Sequence, residues 1–339
     1  MKRSISVFIF LIIIAFSLAA GGRKESPAER QGEVIIYTYD SFVSEWGAGP
    51  ELARLFEEKT GYRVTMISTG DGGQIISRAV TEKANPRADL VIGIDNTMAA
   101  RAVEAGILEP YEPANAGSII GRELYLDDGW HLTPFDWSYF AIIWDSLSGI
   151  PAPESLEDMT KPVYEKKFIL MDPRTSIPGL GFVTWTKAVF GDGNRDYWQR
   201  LKPSILTMTP GWDTGYGMFT SGEAPLVISY ITSPAVHVEY DNTDRFKALV
   251  FPEGHPVTIE GAGILKGAKN PEGAKAFMDF LISEEAQNII PLTQWMYPVN
   301  RSVILPESYR AAPDAGKILH ADPDTAIQAR NEIMELLAR

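Results

Sequence analysis

The chain has 339 residues, long enough for two domains, and its 45% hydrophobic and 22% charged content fits a globular protein rather than a disordered one. A net charge of −13 argues against nucleic acid as partner and gives no reason to expect an anionic membrane surface. There is no cysteine, which removes disulfides, thiolate metal sites and cysteine nucleophiles together.

The first element is a targeting segment. Lys2 and Arg3 form a positive start, residues 5–16 are almost wholly apolar, and Ser17, Leu18, Ala19 and Ala20 supply small residues for cleavage. The apolar run is short and charge soon follows, so residues 1–20 read as a secretory signal peptide rather than a membrane span. Its removal moves the net charge to −15. Leu18-Ala19-Ala20-Gly21 resembles a lipoprotein box with Gly where the acylated Cys belongs, so that route to an anchor is closed to this chain. Residues 21–32 read as a flexible, polar leader.

Strand, helix, strand, helix, strand, helix then follow. Residues 34–39 (VIIYTY) predict a buried strand, with a helix from Pro50 to the stop at Gly61. Residues 62–67 return as a strand, Asp71-Gly72-Gly73 turns into a helix to about residue 83, residues 89–93 form the third strand, and residues 96–105 a helix. Such a pattern makes a parallel sheet covered on both faces, with ligands beyond the carboxyl ends of the strands. Tyr39, Asp40, Asp71, Gly93 and Asp95 fall at those ends.

From residue 129 the pattern changes. Residues 133–137 predict an extended crossover into a second lobe and residues 140–144 a strand. Residues 168–171 (FILM) predict a buried strand, residues 172–181 (DPRTSIPGLG) a loop that points backbone N–H groups and hydroxyls at one spot, and residues 182–190 a helix. Further helices fall around residues 196–198 and 211–222, a strand at 226–230, a loop at 231–234 and a Gly-broken strand at 257–265. A helix follows Asn270-Pro271, a second starts at Ser283, residues 294–300 form a loop, and the tail from Pro323 is an amphipathic helix. The whole predicts an α/β protein of two lobes, each a mostly parallel sheet flanked by helices, with residues 33–132 and 256–296 in lobe 1 and 133–255 and 297–339 in lobe 2. Ligand would lie between them, with closure a hinge motion.

Tyr39, Trp46, Trp212, Tyr230 and Trp295 lie in or beside loop edges. Singly each reads as core; together they could wall a flat cationic ring, since a cation over an aromatic face gains about 0.5–2 kcal/mol. Asp71 could add charge complementarity, cap a helix, or do both. Ser176, Thr232 and Ser233 offer hydroxyls and Arg174 a cation, although Arg174 could equally pair with a local carboxylate and Ser233-Pro234 could be only a turn. The four histidines form no metal-binding spacing, His237-Val238-Glu239-Tyr240 included, and no Gly-x-Ser-x-Gly elbow is present. Nothing positive points to catalysis.

In chain order, Tyr37-Thr38-Tyr39-Asp40-Ser41-Phe42, Trp46-Gly47, Asp71-Gly72, Gly93-Ile94-Asp95-Asn96, Asp172-Pro173-Arg174-Thr175-Ser176, Gly211-Trp212, Ser229-Tyr230, Thr232-Ser233-Pro234-Ala235 and Trp295-Met296-Tyr297-Pro298-Val299 resemble the thiamine-binding periplasmic proteins of bacterial ABC importers. The likeness covers most of the chain after the leader, up to about residue 303. It implies a type II periplasmic-binding fold, and an exported, monomeric solute-binding protein that hands thiamine, or its phosphate or diphosphate, to a membrane permease. It also implies ligand positions at Asp71, Gly72, Ser176, Ile177, Trp212, Tyr230, Ile231, Thr232 and Ser233, with Tyr39, Trp46 and Trp295 as further cleft residues. It implies no cofactor and no metal. Two departures stand out. Val236 replaces a cleft Tyr, for which neighbouring His237 could substitute, and Ile177 replaces a hydroxyl residue. The alternatives are the same fold binding ferric iron, with Tyr230 and Tyr240 as ligands, or a polyamine; a thiamine-degrading enzyme of similar fold, whose resemblance implies a Cys nucleophile; and a partner of a sensor ectodomain.

Overall fold

A computed structural model describes residues 32–320 and 322–338 of the chain. The signal peptide of residues 1–20 and nearly all of the leader lie outside the described residues.

The first stretch alternates strands and helices. These are Glu33–Thr38 (β1), Asp40–Val43 (α1), Ala48–Thr60 (α2), Arg63–Ser68 (β2), Gly72–Thr81 (α3), Leu90–Asp95 (β3), Ala99–Glu104 (α4) and Leu108–Glu109 (β4). β1 pairs in parallel with β2 on one side and β3 on the other. Gly61 ends α2 in the left-handed conformation, and Asp71 caps α3 in a capping box with Gln74.

Thr133–Asp145 (β5) follows as one strand of 13 residues, where the sequence suggests a crossover and a separate strand. Pro134 misleads because a proline ordinarily breaks a ladder. Here it stands opposite Gly261, at a register shift where the ladder is already interrupted.

The next stretch holds Phe168–Met171 (β6), Ile177–Phe190 (α5), Asn194–Leu201 (α6), Ile205–Thr209 (β7), Trp212–Thr220 (α7), Leu226–Tyr230 (β8), Pro234–Tyr240 (α8) and Phe246–Ala248 (β9). β6 pairs in parallel with β7 and β8. The chain ends with His255–Leu265 (β10), Pro271–Leu281 (α9), Glu284–Gln287 (α10), Ile290–Thr293 (α11), Tyr297–Pro298 (β11), Ile318–Leu319 (β12) and Pro323–Ala338 (α12).

The strand order is β2-β1-β3-β10-β5-β8-β6-β7. β5 runs antiparallel to β10 through its first seven residues and to β8 through its next five. One strand therefore belongs to both halves of the sheet, and β10 joins it to β3 of the first half. α9 packs on β1, β10 and α2, whereas α12 packs on α5 and α6.

The Gly-rich residues 177–181 are helix, not loop. Pro178 sits in the first turn, where its missing N–H costs nothing. A Cβ on Gly179 would lie 2.4 Å from the Met171 carbonyl oxygen of β6, so the glycine allows helix and strand to touch. The stretch from Ile177 to Thr186 is buried on every side, which removes the polar face that would have marked it as a helix. Ser233-Pro234 is the start of α8 rather than an isolated turn.

Gly179→Ala is expected to destabilise the protein by about 1–3 kcal/mol in urea unfolding, because overpacking against backbone outweighs the helix propensity gained. Unchanged stability would mean that α5 can lift off β6 freely.

Candidate functional site

A cavity of about 280 Å³ lies between the halves, at the carboxyl ends of β1, β2, β7 and β8. Six aromatic side chains line it: Tyr39, Trp46, Trp212, Tyr216, Tyr230 and Trp295. Four carboxylates join them (Asp40, Asp71, Asp213 and Glu260), and no Lys or Arg does.

Trp212 opens α7 and is held at both its nitrogens. Its indole N–H donates to Ser229 Oγ at 2.7 Å, and Ser229 Oγ meets Ser233 Oγ at 2.8 Å. Ser233 Oγ accepts in turn from the Tyr230 backbone N–H. The indole stacks on Tyr216, with centroids 4.7 Å apart and planes 15° apart. Trp46, 49% exposed at the rim, leans over it at 6.2 Å. Tyr230 stacks on buried Phe140, and Trp295 packs between Tyr309 and Tyr240. Trp295 adopts φ 57°, which an L residue holds only when its surroundings impose it.

Asp71 links the halves. Its Oδ1 accepts from Gly72 N at 2.6 Å and its Oδ2 from Trp212 N at 3.2 Å. The Ile177 N–H at the start of α5 also stabilises its charge, while the Ser176 hydroxyl nearby is buried without a hydrogen-bond partner. The carboxylate thus faces the N-termini of α3, α5 and α7, where partial positive charge gathers. Burial still raises its pKa, because these donors only partly offset desolvation.

Tyr39 lies over Gly93, whose φ of +99° and lack of a Cβ leave room for the ring. Its hydroxyl donates to Glu260 Oε2 at 2.7 Å and accepts from Gln294 Nε2 at 2.5 Å. Burial pushes Glu260 up to about 8; the Tyr39 bond opposes that rise, and Asp95 and Asp71 add to it. Asp95 is raised to about 7, again chiefly by burial, although Thr97 donates to it and lowers it.

The structure therefore brings Tyr39, Trp46, Asp71, Ile177, Trp212, Tyr230, Ser233 and Trp295 to one cavity. Gly72, Ser176, Ile231 and Thr232 do not line it. Ser176 is 2% exposed beside Asp71, and the Thr232 hydroxyl is turned to Ser138 at 2.9 Å. Arg174 forms a two-point pair with Asp172, with Nε to Oδ1 at 2.9 Å, so its cation is spent locally. Val236 lines the cavity. His237 also lines it, with both ring nitrogens engaged, Nε2 3.0 Å from Tyr216 Oη and Nδ1 2.8 Å from Asp241. Burial lowers the His237 pKa against the pull of Asp241, which favours the neutral ring. Tyr240 is 65% exposed and does not line the cavity, so it does not converge with Tyr230 on a shared ion. Among the described residues no three His, Asp or Glu form a metal cage.

Sequence reasoning missed Tyr216, Gln294 and Glu260. The helical spacing Trp212–Tyr216 was the one signal available, since residues four apart share a helix face.

Residues 48–291 match the family described as bacterial extracellular solute-binding protein. The thiamine-binding periplasmic protein of Brucella abortus is 39% identical over 333 residues, covering 97% of this chain and 98% of that relative. Its namesake in Escherichia coli K12 is 34% identical over 314 residues, covering 91% and 94%. A solved periplasmic thiamin binding protein superposes with a TM-score of 0.84 at 33% identity, covering 91% of this chain and 96% of that one. Fold and cleft define a type II periplasmic solute-binding protein. The chain belongs to the family of thiamine-binding periplasmic proteins.

Asp71→Ala should cost about 1–2 kcal/mol in urea unfolding, since it removes the α3 cap and the acceptor of Trp212 N–H. Asp71→Asn, which keeps an acceptor oxygen, should recover part of that loss; equal losses would show that the cap is not what Asp71 supplies.

Proposed function

We propose that the cleft takes thiamine, and that this periplasmic protein delivers it to the permease of an ABC importer. The observation that carries the reading is the lining: six aromatic side chains and four carboxylates with no Lys or Arg. Thiamine presents two small rings, one a thiazolium with a permanent positive charge. Aromatic faces and carboxylates attract such a cation, and more strongly in a site shielded from water. A cavity of about 280 Å³ is small for a ligand pocket, which suits a two-ring vitamin.

The phosphate and diphosphate esters are expected to be taken differently. The lining gives a phosphate no cation, and Asp71 already holds the Trp212 N–H and faces the start of α5. A phosphate arm must displace that carboxylate to reach the helix N-termini. The relatives are solute-binding proteins, and in this reading the ligand leaves unchanged. Thiamine cleavage by a Cys nucleophile has no Cys to use. Among the described residues no helix is long and apolar enough to cross a membrane.

Calorimetry on the chain lacking its leader tests this. Thiamine should bind and shift tryptophan fluorescence. Trp212→Ala should weaken binding by about 2 kcal/mol, roughly 30-fold, as for a buried aromatic anchor. No heat with thiamine, alongside binding of spermidine or ferric citrate, would overturn the assignment.

A further inference from the structure

Glu260 in the cavity wall and Asp136, which lies outside the lining, form a buried carboxylate pair. Glu260 and Asp136 are direct register partners on β10 and β5. Glu260 lines the cavity and is 4% exposed. Asp136 is 0% exposed, and neither of its carboxylate oxygens has a hydrogen-bond partner. The titratable groups facing Glu260 are Tyr39 from the end of β1, Asp71 from the cap of α3, Asp95 from the end of β3, Asp136 from β5 and Tyr230 from the end of β8. None of them is a cation. Two buried carboxylates side by side cannot both ionise without a counter-charge, and they titrate as a pair.

We propose that Glu260 is the anionic partner of the ligand's fixed cation, and that binding expels the proton that Glu260 holds, beside buried Asp136, when the cleft is empty. The inference rests on the thiamine reading of the cleft. The thiazolium nitrogen is charged without carrying a proton, so the ligand supplies positive charge alone. The Glu260 carboxyl O–H releases its proton to buffer, and the thiazolium replaces that proton as counter-charge, while Asp136 stays neutral beside it. Asp136 sits well above the ordinary carboxylate range through burial and then through Glu260, and Glu260 is pushed up to about 8. Ligand-free Glu260 therefore holds a proton at neutral pH, and so does Asp136. The ionised form binds the cation, so affinity should rise by up to about tenfold per pH unit below 8 and level off above it. Tyr39, donating to Glu260 Oε2 while accepting from Gln294, is a positioning residue that aims the carboxylate.

The test is calorimetry of thiamine binding near neutral pH in buffers of different ionisation enthalpy, repeated across about two pH units on either side of 8. The observed heat should vary linearly with buffer enthalpy, with a slope of about one proton released per ligand at neutral pH. Asp136→Asn should leave most of that slope in place, because Asp136 is already neutral when Glu260 titrates and the rise of Glu260 comes from burial, Asp95 and Asp71; a slope lost with this variant would put the released proton on Asp136 and overturn its assignment to Glu260. Glu260→Gln should abolish proton release and weaken binding about tenfold or more above pH 8. Thiamine binding by the unaltered protein with no buffer dependence and a flat pH profile would overturn this inference and leave the ligand assignment standing. No binding in any buffer would overturn both.

Discussion

The β5–β10 pair is the constraint on which the molecule depends. β5 runs from one half of the sheet into the other and β10 ties it to the first half, so the ladder that stabilises the halves also fixes the gap between them. The gap becomes a cleft because the parallel strands on either side all end at it, and each ends in a turn that turns side chains inward. The ladder is irregular at Gly261, on both of its edges. A bulge re-aims the neighbouring side chain, and the neighbour here is Glu260, at the cleft floor.

The walls are fixed before any ligand arrives. Trp212 is bonded to Ser229, Ser229 to Ser233, and Ser233 to the backbone of Tyr230, which places two rings from different elements in one network. Tyr216 is locked by His237 and Asp241. Side chains already held in one rotamer lose little entropy on binding, so more of the contact energy appears as affinity. Asp71 does for the backbone what these bonds do for the rings: one carboxylate meets the starts of three helices, one from the first half and two from the second.

Much of this is legible in the sequence, and the parts that are not share a cause. The alternation of strands and helices up to residue 105, the cap at Asp71 and the aromatic positions at strand ends follow from local patterns. Residues 177–181 mislead because glycine and proline usually mark loops, whereas here they serve a close approach between α5 and β6 that only tertiary packing reveals. Pro134 misleads in the same way, since its harmlessness depends on a bulge in a partner strand more than 120 residues away. Glu260 is invisible for a similar reason. It stands in an apolar, glycine-broken strand, and its importance comes from its register with Asp136 and its bond to Tyr39, neither of which is encoded nearby. The ordered motifs of the resemblance carry the ligand class, which the residues read singly leave open.

Val236 puts an aliphatic side chain in the cavity wall, which sharpens what holds the cation. An aromatic face there would offer about 0.5–2 kcal/mol. His237 does not replace it, being neutral and bonded to Tyr216 and Asp241. A carboxylate about 4 Å from a fixed positive charge is worth about 4 kcal/mol at the effective dielectric typical of protein sites, before desolvation is counted. That exceeds what one more aromatic face would add, provided the carboxylate is ionised when the ligand is bound. With an aliphatic side chain at this point of the wall, recognition leans on charge as well as on faces. The protonation state of Glu260 therefore bears directly on how tightly the cleft holds a cation.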